Sequence, residues 1–220
     1  MYQWDFGSLW AYRSLVLVGL FYTVGYTILC VVLGLVVGTA AGLGRLAKSR
    51  FATWPIIGYI ELFRCTPLLV QLVWFYYALP VLLGISMSPA LAATLTLSLY
   101  GGAFYAEIIR AGVLSIHPGQ WDAGRALGLG RILLMRKIIL PQALKRMLPP
   151  LMNQSIIQLK NTSLVSVLAV PDLLYQGQVV TAAIYRPLEV YTAVAAIYFA
   201  VLFPLTLGVQ QLERRLGSHA

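Results

Sequence analysis

The chain has 220 residues, 60% of them hydrophobic and 10% charged. Soluble domains carry about 25% charged and roughly 45–50% apolar residues, so a water-exposed globule is excluded and lipid is the expected solvent. The net charge of +9 does not point to nucleic acid, because the basic residues gather in short connections between apolar runs, where membrane-orientation signals belong.

The uncharged runs set the expected elements. Between Arg13 and Arg45 lie 31 uncharged residues, between Arg64 and Glu107 lie 42, and between Glu189 and Glu213 lie 23. About 20 apolar helical residues cross a bilayer core. The first span is predicted over residues 15–43, after Tyr2, Trp4, Trp10 and Tyr12, which suit an interfacial aromatic belt. The second is predicted over 56–79, interrupted by Glu61 and Arg64, which stand one helical turn apart and can pair. A turn built on Pro80, Gly84, Ser86 and Ser88 leads to a third span over 89–109. There Glu107 and Arg110 repeat the same spacing. The fourth is predicted over 148–170, ending before Pro171, and the fifth over 190–212. Gly34, Gly38, Gly42, Gly101 and Gly102 have spacings that allow close helix contact. The expectation is an all-α membrane protein with five transmembrane helices in a single domain, 1–220. The first apolar run is too long for the core of a cleavable signal peptide.

The connections carry one, three, zero, seven, one and two basic residues in chain order. That alternation predicts a periplasmic amino terminus and a cytoplasmic carboxy terminus. Cys30 and Cys65 both fall in apolar runs and read as buried hydrophobes. His117 and His219 are the two histidines, one in a loop and one in the tail, and assemble neither a metal cluster nor a catalytic dyad.

The connection 110–146 is too long for an idle loop. Pro118 can open a helix, since its missing N–H would be unbonded in the first turn. Asp122 is read as a first-turn negative charge opposing the helix dipole. Ala123, Ala126 and Leu127 share a face, and Gly128 can end the helix. A second short helix is expected before Pro141 and the fourth span. Lys160 would sit 12 residues into a span starting near Leu148. A cation at that depth costs about 2.5–3.5 kcal/mol on insertion scales and should face a cavity or a partner. Asn161, Thr162 and Ser163 offer hydrogen-bonding groups beside it.

The order Asp122-Ala123-Gly124, three residues, Gly128, nine residues, then Ile138-Ile139-Leu140-Pro141 resembles the signature of binding-protein-dependent ABC permeases. Aspartate stands where the family has glutamate, and Gly124 stands for its second alanine. Glycine costs about 1 kcal/mol in a helix interior relative to alanine, so a less rigid helix is expected. The resemblance implies a type I ABC importer permease in a bacterial inner membrane. In it Gln120, Asp122, Ala123, Gly124, Ala126, Leu127, Gly128 and Pro141 form the cytoplasmic coupling element that seats in an ABC nucleotide-binding ATPase. The chain lacks the Gly-x-x-x-x-Gly-Lys-Ser/Thr phosphate loop. ATP and Mg are therefore expected on the partner ATPase, with no cofactor here and no enzyme activity of the chain itself.

The segments Glu61–Leu72, Tyr105–Gly112 and Leu159–Leu164 look like those of polar amino acid permeases of the histidine, glutamine and glutamate type. The resemblance implies a periplasmic amino-acid-binding protein, a second permease subunit (identical or related) and alternating access. The expected substrate pathway includes Thr66, Gln71, Lys160, Asn161, Thr162 and Ser163. Relatives often have aspartate where this chain has Asn161, which favours a neutral or acidic amino acid over a cationic one. A secondary transporter or channel would account for the spans and Lys160 but not for the spacing from Asp122 to Pro141.

Overall fold

The computed structural model describes residues 2–47 and 49–217; Lys48 and His219 lie outside the described residues. Among these residues the chain is helical without strands. After a single turn at Gly7–Trp10, α1 runs unbroken over Arg13–Gly44, about 48 Å at 1.5 Å per residue. α2 covers Arg50–Cys65 and α3 Leu68–Leu83, and the two are bent by 110°. α4 is Pro89–Leu114 and α5 is Pro118–Ala126. α6 is Arg131–Leu168 and α7 Leu173–Ile184, bent by 46°. α8 is Pro187–Gly217.

By length and apolarity α1 and α8 each qualify as a membrane span, and the two bent pairs raise the number to at most four among the described residues. α4 occupies the place of the third predicted span, at 26 residues, but is diluted by threonines, serines, glycines and tyrosines. Those residues face neighbours rather than lipid: Thr96, Ser98, Gly101, Gly102 and Tyr105 are all buried. α4 is the centre of the fold, in contact with α1, α2, α3 and α6.

Three expected boundaries need correction. The span 56–79 is not one helix. Pro67 has no N–H to give and disfavours helical backbone at the residue before it, and Thr66 is extended at φ −114°, ψ 144°. The fourth span does not begin near Leu148. α6 starts at Arg131 and passes through Pro149 and Pro150 without stopping. Its single wide turn at Met135–Ile139 precedes Pro141, whose ring and missing N–H disrupt the regular bond ladder. Finally, 171–189 is not a loop, because α7 fills most of it. The signal was legible: Asp172 follows Pro171 and caps α7 by accepting from the Tyr175 N–H at 2.9 Å.

α1 and α4 approach closely through glycine. A Cβ on Gly38 would lie 2.5 Å from Tyr105 Cβ, and one on Gly42 would lie 2.7 Å from the Ala106 carbonyl oxygen. Only glycine permits that separation, as the small-residue spacing predicts. At one end of the molecule Glu107 joins these helices, accepting from Arg45 and, at 3.0 Å, from Arg110. At the other end Glu189 is fully buried. It accepts from the Tyr2 hydroxyl, the Asp5 N–H and Arg186, tying the amino-terminal segment to the start of α8.

Candidate functional site

The end of the molecule marked by Glu107 also carries α5. His117 caps this helix, its Nδ1 accepting from the Gly119 N–H at 3.0 Å, and Pro118 opens it. At the other end the Gly128 N–H donates to the Arg125 carbonyl (2.9 Å) and the Leu129 N–H to the Gly124 carbonyl (3.1 Å). This is a Schellman stop, and Gly128 supplies its left-handed residue at φ +75°. Asp122 lies in the second turn rather than the first, where it pairs with Arg125 at 3.4 Å. Both side chains are mostly exposed, and such a pair contributes little to stability.

Gly124 is the buried residue of α5, and Trp121 packs beside it on a buried cluster of Ile109, Val113, Ile116, Leu134, Ile139, Ala143 and Met147. The opposite face presents Asp122, Ala123, Arg125, Ala126 and Leu127 outward. Leu127 and Ile132, at 77% and 76% exposed, are isolated large apolar side chains on a polar rim. Next to them a groove of about 570 Å³ is lined by Gly130, Arg131, Ile132, Leu133, Arg136 and Lys137. Gln120 accepts from Gln142 at 3.4 Å, and Pro141 lies inside α6, just past its wide turn at Met135–Ile139. The predicted coupling residues thus divide: Asp122, Ala123, Ala126 and Leu127 face outward, Gly124 faces the core, and Gly128 ends the helix. Burial and the neighbouring Arg110 pull the pKa of Arg45 below its ordinary value.

The six residues expected along a substrate pathway fall in two places. Gln71 is buried at the bend between α2 and α3. Its Nε2 donates to the carbonyls of Phe63 (3.0 Å) and Thr66 (3.1 Å) and to the Thr66 hydroxyl. The Thr66 hydroxyl in turn donates to the Leu62 carbonyl at 2.6 Å. These bonds satisfy carbonyls that the end of α2 leaves without helical partners, so the Thr66 hydroxyl and the Gln71 amide nitrogen hold the bend, while the Gln71 Oε1 is buried without a donor. The other four stand where α6 tightens from α to 3-10 geometry at Thr162–Leu168, a change that marks hinges and strained sites. Thr162 donates to the Leu159 carbonyl at 2.7 Å and Ser163 to the Lys160 carbonyl at 2.8 Å. Lys160 is exposed and forms no ion pair among the described residues, and the Asn161 Nδ2 is buried without an acceptor. Among the six, the Lys160 ammonium, the Asn161 Nδ2 and the Gln71 Oε1 are the polar groups left uncommitted.

Glu61 and Arg64 do not pair with each other. Glu61 accepts a weak bond from the Cys65 thiol, and Arg64 stacks over Phe104, 5.6 Å from the ring centre. Three polar contacts were not singled out from sequence: Arg45 to Glu107, Tyr198 to Asp172 (whose capping of α7 is local) and Tyr2 to Glu189. Each depends on contacts 26 to 187 residues apart in sequence, which local spacing does not reveal.

Comparison with known proteins agrees with this geometry. The family model for binding-protein-dependent transport system inner membrane components matches residues 31–218. The glutamine transport system permease protein GlnP of Escherichia coli strain K12 is 41% identical over 97% of this chain and 98% of its own length. The L-cystine transport system permease protein TcyB of Bacillus subtilis strain 168 is 37% identical over 91% and 86%. A crystal structure of an amino acid ABC transporter with histidines superposes with a TM-score of 0.92 at 36% identity, covering 97% of this chain and all of that one. The MetNI methionine ABC transporter, at 21% identity and a TM-score of 0.75, shares the fold. The chain belongs to the family of binding-protein-dependent transport system inner membrane components, as a permease subunit of an amino acid ABC importer.

Proposed function

We propose that this chain is the permease of an ATP-driven importer that takes up a polar amino acid, neutral or acidic and of the glutamine, glutamate or aspartate type. The observation that carries the reading is α5: a capped helix, buried along one side, that offers Asp122, Ala123, Ala126 and Leu127 outward. A helix of that kind fits a groove on a nucleotide-binding ATPase, where ATP and Mg are held and hydrolysed. Closure of the motor displaces α5 and reorients the membrane helices, opening the pathway to alternate sides. A periplasmic amino-acid-binding protein delivers the substrate at the opposite end, where Tyr2–Trp10 and α7 lie. The pathway forms against a second permease subunit, with the amino terminus periplasmic and α5 in the cytoplasm, the orientation that the distribution of basic residues favours.

At the pathway, Lys160 and the unpartnered Asn161 amide present donors suited to a carboxylate or an amide oxygen. No side-chain carboxylate at position 161 is there to pair with a cationic substrate. The relative named as a glutamine transport system permease supports the same class. The test is uptake of labelled glutamine, glutamate and arginine by the complex in proteoliposomes. Competition by arginine that equals competition by glutamine would refute the substrate class.

A further inference from the structure

Gly124 was expected to loosen α5, and the packing argues the reverse. A Cβ at 124 would stand 2.3 Å from Leu134 Cδ1, far inside van der Waals contact. Leu134 is 2% exposed, so its methyl group occupies the space that an alanine side chain needs. The first turn of α6 therefore interlocks with the docking helix through a notch that Gly124 leaves open, and an alanine there requires Leu134 to move. The same helix repeats the arrangement farther along. Met147, 3% exposed, places its Cγ 2.2 Å from where a Cβ on Gly112 would be, interlocking α6 with α4. Leu134, Ile139, Ala143 and Met147 all belong to one buried cluster with Ile109, Val113 and Ile116 of the α4 end. Close-packed interiors transmit displacement rather than absorb it.

We propose that Leu134 and Met147 are positioning residues for transport coupling. Leu134 seats in the notch of Gly124 and Met147 in that of Gly112, so a displacement of α5 is carried through the base of α6 to α4. This rests on the reading of α5 as the ATPase-docking helix, and the experiment separates the two. The complex is assembled with its ATPase and binding protein in proteoliposomes, and substrate imported per ATP hydrolysed is measured beside the yield of co-purified ATPase. Wild-type chain that retains no ATPase overturns the docking reading itself. With docking intact, Leu134→Ala is expected to keep the ATPase bound while the import-to-hydrolysis ratio falls about threefold or more. Gly124→Ala is expected to lower the ratio as well, and Gly124→Ala combined with Leu134→Ala to recover it, because the smaller side chain vacates the notch. If Leu134→Ala does not assemble, Leu134→Val provides the smaller truncation for the same measurement. A structural role alone would lower melting temperature and yield without moving the ratio. An unchanged ratio in the truncated variant, or a double variant no better than Gly124→Ala in an intact complex, overturns the proposal.

Discussion

Replacing Gln71 by leucine separates a bend-holding role from a substrate-binding one. In the structure one amide nitrogen serves the Phe63 and Thr66 carbonyls, both near the break between α2 and α3. Gln71→Leu keeps the volume and removes the donor. Each buried carbonyl left unsatisfied costs roughly 1–3 kcal/mol in general, although side-chain hydrogen bonds in membrane proteins average only about 0.6 kcal/mol. The added apolar burial returns about 1 kcal/mol. The net expectation is a loss of about 1–3 kcal/mol, or roughly 3–9 °C in melting temperature at about 3 °C per kcal/mol. The assay is thermal unfolding of the purified permease, with uptake measured in parallel at a temperature where the variant is folded. A variant as stable as wild type but defective in uptake would refute the bend-holding role and restore Gln71 to the pathway.

Four other substitutions extend the account. Gly42→Val is expected to prevent assembly or lower melting temperature sharply, because a Cβ already meets the Ala106 carbonyl at 2.7 Å; wild-type stability would mean α1 and α4 do not pack as described. Glu107→Gln should cost about 1–3 kcal/mol, with Glu107→Gln in an Arg45→Met background costing less, and additivity in that cycle would show that the pair contributes nothing. Asp122→Lys should leave melting temperature unchanged, since its pair with Arg125 is mostly exposed, while ATPase binding weakens about tenfold or more; ATPase binding at wild-type strength would argue against the outward face of α5. Asn161→Asp should raise uptake of arginine relative to glutamine, and an unchanged preference would remove position 161 from the specificity argument.

Much of α5 was legible because its ends use residues with strong local chemistry. Pro118 and Gly128 act where they stand, and no distant contact is needed to make one open a helix and the other end it. The Thr66-Pro67 break carried an equally strong signal, but the largely apolar composition on both sides made 56–79 look continuous despite Glu61 and Arg64. The fourth span was expected to start near Leu148, whereas α6 starts at Arg131 and accommodates Pro149 and Pro150 inside a long helix whose other contacts outweigh the missing N–H groups. Gly124 shows the limit most clearly. Read as a propensity it weakens a helix, whereas its effect is set by Leu134, ten residues away and interlocked with it. Glu107 likewise shows its spacing to Arg110 but not its bond to Arg45, which exists only once α1 and α4 are packed. Lys160 and Asn161 stood out by their chemistry, and the structure adds that the hydroxyls of Thr66, Thr162 and Ser163 and the Gln71 amide nitrogen are already bonded within the chain.

The central claim is that an external ATPase drives amino acid uptake through α5. Its most direct measurement is glutamine uptake by proteoliposomes holding the full complex and the binding protein, with ATP supplied or withheld on the ATPase side. The account predicts accumulation against a gradient with ATP, none without it, and none with Asp122→Lys chain of wild-type thermal stability. Accumulation independent of ATP, or undiminished in that variant, would contradict it.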